Sequence, residues 1–95
     1  MGIKNILDER GNRYGEFADN AKLSQALKYD LIYFEGYNKL SEIHKEALDN
    51  ICQKIARIVN GDPNYEDNWV DIIGYSQLVL NEIKTDKTVT GSLKV

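Results

Sequence analysis

Ser41-Glu42-Ile43-His44-Lys45-Glu46-Ala47-Leu48-Asp49-Asn50-Ile51-Cys52-Gln53-Lys54-Ile55-Ala56-Arg57-Ile58-Val59-Asn60 is the stretch that decides the fold. Ile43, Ala47, Leu48, Ile51, Cys52, Ile55, Ile58 and Val59 draw one apolar stripe along an α-helix, because most of them recur three and four residues apart. Ser41 precedes the first turn as an N-cap, its hydroxyl able to accept an orphan backbone N–H. Asn60-Gly61 stops the helix, and Asp62-Pro63-Asn64 keeps it from resuming. Trp69, Ile72, Ile73, Ser76, Val79, Leu80 and Ile83 then mark one face of a further helix over about 66–83. So short a connection makes the two helices antiparallel neighbours, a hairpin of about 41–60 and 66–83.

Working outward, Ile3, Ile6 and Leu7 predict a short first helix ending near Gly11, with a turn over Asn12–Gly15. Phe17, Ala18, Ala21, Leu23, Ala26, Leu27, Leu31, Ile32 and Phe34 predict a second helix over about Glu16–Phe34, although Tyr29–Phe34 also reads as strand-like. Gly36–Leu40 reads as a loop. The expected architecture is an all-α bundle of about four helices, a single domain over 1–84. Thr85–Val95 is a flexible C-terminal tail, or a strand where a partner supplies an edge. A chain this small has a marginal core, so a homo-oligomer is expected.

Composition narrows the function classes. The chain has 95 residues, 42% of them hydrophobic and 28% charged, with a net charge of −3. An acidic balance argues against a generic nucleic-acid binder, which needs a clustered basic excess. The single Cys52 excludes an internal disulfide and a Cys-based zinc site, and the single His44 excludes a two-imidazole site. No apolar run approaches a membrane span, and Met1–Arg10 lacks the apolar core of a secretory signal, so a cytoplasmic location is expected.

Two groups of residues are candidates for chemistry. Asp67 and Asp71 are four apart on one helix, and Glu46 and Asp49 are three apart on the preceding one. Two carboxylate pairs on facing helices suit Mg²⁺, a hard cation that prefers oxygen ligands. Acidic residues in a first helical turn also favour the macrodipole, and Glu46 and Asp49 also read as a solvated face. The second group is basic and aromatic. Glu9-Arg10-Gly11-Asn12-Arg13-Tyr14-Gly15 places Arg10, Arg13 and Tyr14 around two glycines. Guanidinium groups suit bidentate phosphate recognition, and Tyr14 or Tyr75 suits stacking on a base. Lys54 and Arg57 either join them as phosphate ligands or form inter-helix salt bridges with Asp67 and Asp71. Asp62 reads as a cap of the following helix or of the turn, Trp69 and Cys52 as core, and His44 as a solvated side chain. Gly74 inside a helix suggests close helix packing or a ligand. No catalytic residue is assigned.

Glu9–Phe17, followed by Lys54-Ile55-Ala56-Arg57-Ile58-Val59-Asn60-Gly61-Asp62-Pro63-Asn64-Tyr65 and Asp67-Asn68-Trp69-Val70-Asp71-Ile72-Ile73-Gly74-Tyr75, resembles a family of small uncharacterised phage and prophage proteins. The match covers roughly 9–83. The hairpin is also similar to the MazG-like all-α nucleoside triphosphate pyrophosphohydrolases, which bind Mg²⁺ through Glu-x-x-Glu on one helix and Glu-x-x-Asp on the next. That resemblance implies Glu46 and Asp49 as the first pair and Asp71 in the second. Asn68 stands at the partner position, and Asp67 is one residue out of register.

These resemblances imply a phage-encoded nucleotide-binding protein in the cytoplasm of an infected or lysogenic bacterial host. It either sequesters a nucleotide or cyclic nucleotide signal of host defence or hydrolyses a nucleoside triphosphate with Mg²⁺. Direct nucleic-acid or membrane binding is not expected. The alternatives are a protein–protein inhibitor of a host defence or nuclease factor, and a structural phage accessory protein.

Overall fold

Helical periodicity is realised along the whole described chain. A computed structural model describes residues 2–89, with side chains described over 2–85. Five helices follow in order: α1 (Ile3–Tyr14), α2 (Phe17–Tyr33), α3 (Glu35–Asn38), α4 (Glu42–Asn60) and α5 (Glu66–Val89). No strand occurs among the described residues, so Tyr29–Tyr33 is helical.

The ends of α4 follow the sequence logic. Ser41 Oγ accepts from the His44 backbone N–H at 3.3 Å, and Gly61 N–H donates to the Arg57 carbonyl at 2.9 Å. Asp62 does cap the turn: its carboxylate accepts from Asn64 N–H at 2.9 Å.

Four expectations about elements change. α1 continues past Gly11 through Tyr14, because Gly15, at φ +84°, is the residue that turns the chain. The 36–40 region is not simply a loop, since Glu35–Asn38 forms a single helical turn. Helix α5 runs on through Val89, so residues 85–89 of the expected tail are helical, and the expectation for 90–95 lies outside the described residues. Gly74 has nothing within 4 Å of where a Cβ would sit, so among the described residues nothing packs closely against it.

Packing centres on α4, which packs mainly against α5 and α2 and meets the end of α1 at its C-terminus. Its closest contacts use small side chains: Ala47, Cys52 and Ala56 are the buried apolar residues among those described. Burial pushes the Cys52 thiol pKa up, and the Asp49 carboxylate adds to it. The predicted stripe is only partly covered, since Ile43, Ile55 and Val59 stay exposed. Trp69 is not core. It is 50% exposed and donates its indole N–H to the Pro63 carbonyl at 2.8 Å, while the preceding Asn68 takes the buried position at 1% exposure. His44 is half-buried, with Nδ1 2.7 Å from Ser41 Oγ in a contact open to solvent. No helix among the described residues is long and apolar enough to cross a membrane.

Candidate functional site

The site begins with a clasp between two turns. Gly15 follows α1 and Gly61 follows α4, and their backbones touch. A Cβ on Gly61 would sit 2.5 Å from the Arg13 carbonyl oxygen, and a Cβ on Gly15 would sit 2.5 Å from the Asn60 carbonyl oxygen. Only glycine allows such an approach from both sides. Asp62 N–H donates to the Arg13 carbonyl at 3.0 Å. Asn20 on α2 ties the same point together. Its amide donates to the Tyr14 carbonyl at 2.6 Å and accepts from the Asn60 amide at 3.1 Å. The edge of Tyr65 packs on Tyr14 with ring centroids 5.6 Å apart.

This clasp sets α1 against α2 and α4 and opens a cleft of about 510 Å³ between the three helices. That is within the size range of small-ligand sites. Arg10 and Tyr14 come from α1, Ser24 and Lys28 from α2, and Gln53 and Arg57 from α4. The Arg10 guanidinium lies 5.2 Å from the Tyr14 ring centre and the Arg57 guanidinium 4.8 Å from it. The ring quadrupole attracts both cations and offsets part of their mutual repulsion. Neither arginine forms a salt bridge among the described residues. With Lys28, the cleft wall carries three basic side chains against one acid, Glu16. A chain of net charge −3 therefore concentrates positive charge in one concavity.

The residues read from the sequence divide between this cleft and other places. Arg10, Tyr14 and Arg57 come together in it, and Tyr14 serves as the platform for the two guanidiniums. Arg13 points elsewhere: it pairs with Glu9 and lies 5.3 Å from the Tyr65 ring centre. Lys54 is buried at 8% exposure, with Nζ 3.0 Å from Asp71 Oδ2, so of its two readings the inter-helix salt bridge is the one formed. Tyr75 is half-buried on α5 and does not line the cleft.

The four carboxylates engage separate partners. Glu46 accepts from the Asn50 amide at 3.3 Å, and Asp49 accepts from the Tyr37 hydroxyl at 3.4 Å. Asp67 accepts from the Tyr65 hydroxyl at 3.0 Å, a bond that pushes the Tyr65 phenol pKa up. Asp71 takes Lys54. Asn68, at the position where the MazG-like pattern has a carboxylate, is buried with neither amide atom hydrogen-bonded. Among the described residues no three of His, Cys, Asp and Glu gather as a metal cage. An ammonium on Asp71 and an amide at 68 do not fit a two-carboxylate Mg²⁺ pair as arranged.

Ser24, Lys28, Gln25 and Gln53 line the cleft without having been singled out in the sequence. The available signal was the polar row Asn20-Ser24-Lys28, four residues apart on one line of the helix.

Comparison of the chain with protein families, with curated proteins and with solved structures finds no match.

Proposed function

We propose that this chain is a nucleotide-holding protein that takes the phosphate of its ligand in the cleft between α1, α2 and α4. One observation carries the reading: Arg10 and Arg57, from two helices, both lie over the Tyr14 ring in the cleft, and neither forms a salt bridge among the described residues. Paired guanidiniums match the oxygens of a phosphate group and make charge-assisted hydrogen bonds to it. A bound phosphate replaces like-charge repulsion with two attractions. The nucleotide reading, the phage origin and the MazG-like helical scaffold rest on the sequence resemblance, with α4 and α5 as its antiparallel hairpin. The separate engagement of Glu46, Asp49, Asp67 and Asp71 favours holding the ligand over hydrolysing it. In a phage setting, the protein would withdraw a nucleotide signal of host defence.

The test is a thermal-shift panel of nucleoside mono-, di- and triphosphates and cyclic dinucleotides, each with and without Mg²⁺. A ligand at about 100 times its Kd adds roughly 2.7 kcal/mol, which moves the midpoint of a domain this small by several degrees. Stabilisation by one nucleotide class, lost in Arg10→Ala/Arg57→Ala, is the expected result, with the ligand recovered intact. A flat panel refutes the reading. Turnover that needs Mg²⁺ and fails in Asp71→Asn makes the protein a pyrophosphohydrolase instead.

A second reading, a protein-binding or self-associating module, is favoured by a different feature. An apolar groove of about 440 Å³ runs between α4 and α5, lined by Leu48, Ile51, Val79, Leu80 and Ile83 among others. Self-association through it would cover apolar surface that the small core leaves in water. The same groove would serve an accessory or inhibitory role against a host protein. Sedimentation at several concentrations tests self-association.

A further inference from the structure

The arginines explain how the cleft takes a phosphate and leave the wall along α2 without a role. Ser24 lies in that wall, four residues after Asn20 and four before Lys28. It is 4% exposed, and its hydroxyl has no hydrogen-bond partner. A helical serine can return its hydroxyl to the carbonyl four residues back, and Ser24 does not. An unpaired hydroxyl taken out of water weakens the free protein, so this position is poor for stability alone. The side-chain amides of Gln25 beside it and Gln53 across the cleft on α4 also make no hydrogen bond within the described protein. Two amides and a hydroxyl, from two helices, border one cavity whose cations need a phosphate.

We infer that Ser24 is a specificity-determining residue of the cleft, hydrogen-bonding the base edge of a nucleotide whose phosphate lies on Arg10 and Arg57. Its Oγ is buried in the free protein, so the contact requires the hydroxyl to turn about χ1 to another staggered position when the ligand binds. Gln25 and Gln53 add donor and acceptor edges of the kind that read bases. The ligand class is then a nucleotide recognised through its base, not inorganic phosphate or a sugar phosphate. This inference rests on the reading of the cleft as a nucleotide site.

The experiment is calorimetric titration of the full chain with three probes: inorganic phosphate, ribose 5-phosphate and the nucleoside 5′-monophosphates. The wild type is expected to bind one monophosphate at least tenfold more tightly than ribose 5-phosphate. Ser24→Ala should lose about tenfold for that nucleotide, the effect of one hydrogen bond. It should keep its affinity for ribose 5-phosphate. Its unliganded Tm should stay level or rise, because an orphaned polar group has been removed. Equal binding of nucleotide and ribose 5-phosphate by the wild type overturns the inference and leaves the phosphate site standing. So does undiminished nucleotide affinity in Ser24→Ala. A lowered Tm with equal losses for all probes makes Ser24 structural and overturns it too. Failure of the wild type to bind any probe overturns the inference, and a flat thermal-shift panel beside it refutes the cleft reading itself.

Discussion

Replacing Gly61 by alanine tests whether the two-turn clasp organises the molecule. A Cβ at Gly61 would lie 2.5 Å from the Arg13 oxygen, 2.5 Å from the Tyr14 carbonyl carbon and 2.7 Å from the Gly15 nitrogen. Ordinary C···O contacts begin at about 3.3 Å, so relief needs a displacement of roughly 0.8 Å. Every one of these neighbours is backbone, and no side-chain rotation relieves the clash. The turns must separate, which stretches the Asp62-to-Arg13 bond from 3.0 Å past a useful hydrogen-bond length. A lost or unsatisfied backbone hydrogen bond costs about 1–3 kcal/mol, and residual strain brings the total to about 2–4 kcal/mol. For a domain of this size each kcal/mol corresponds to about 4–8 °C, so Tm should fall by roughly 8–32 °C. Thermal unfolding followed by circular dichroism is the assay. Gly36→Ala is the control, because its Cβ would meet nothing within 4 Å in a helical turn. A Gly61→Ala protein melting within about 3 °C of the wild type would refute the clasp argument, and with it the placement of Arg10 and Arg57 on one ring.

Further outcomes follow from the same geometry. Arg10→Ala and Arg57→Ala should each weaken nucleotide binding at least tenfold, as loss of a charge-assisted hydrogen bond requires. Tyr14→Phe should keep the binding that Tyr14→Leu loses, because the aromatic face orients the guanidiniums; titration calorimetry reads both effects. Asp71→Asn should destabilise by about 1–3 kcal/mol in urea unfolding, since it leaves the buried Lys54 ammonium unpaired. Lys54→Met should stay within about 1 kcal/mol of the wild type, since Asp71, half exposed, can be rehydrated. Lys54→Met should also bind nucleotide normally, because Lys54 lies outside the cleft. Gly74→Ala should stabilise by about 0.5–1 kcal/mol, the helix preference of alanine; a loss of stability would show that another molecule packs on that face of α5. The Cys52 thiol has a raised pKa in the folded chain, so its contribution is complete below about pH 8.5 and lost as pH rises through the folded value. Tm should therefore decline above that pH less steeply in Cys52→Ala than in the wild type; identical slopes would refute the burial assignment.

Much of this protein was legible in its sequence because helices are local. The three-and-four spacing along 43–59, the Ser41 cap, the Gly61 stop and the all-helical class depend on residues within a few turns of one another. The arginines at 10 and 57 were readable as candidate phosphate ligands and Tyr14 as a candidate stacking ring from residue type alone, and the structure lines one cleft with all three. What only the tertiary structure decided were matters of pairing between distant segments. Whether Lys54 met a phosphate or Asp71 depended on the rotation of α5 against α4. Whether Trp69 or Asn68 was buried depended on the same rotation, and the turn at Pro63 offered the indole a carbonyl. The contact of Gly15 with Gly61 joins residues far apart in sequence, so neither glycine announced its partner. Ser24 looked like an ordinary polar residue in an amphipathic helix until α1 and α4 closed over it. A periodic pattern specifies which face of a helix is apolar, but not which neighbour that face will meet, and the candidate site is made of such meetings.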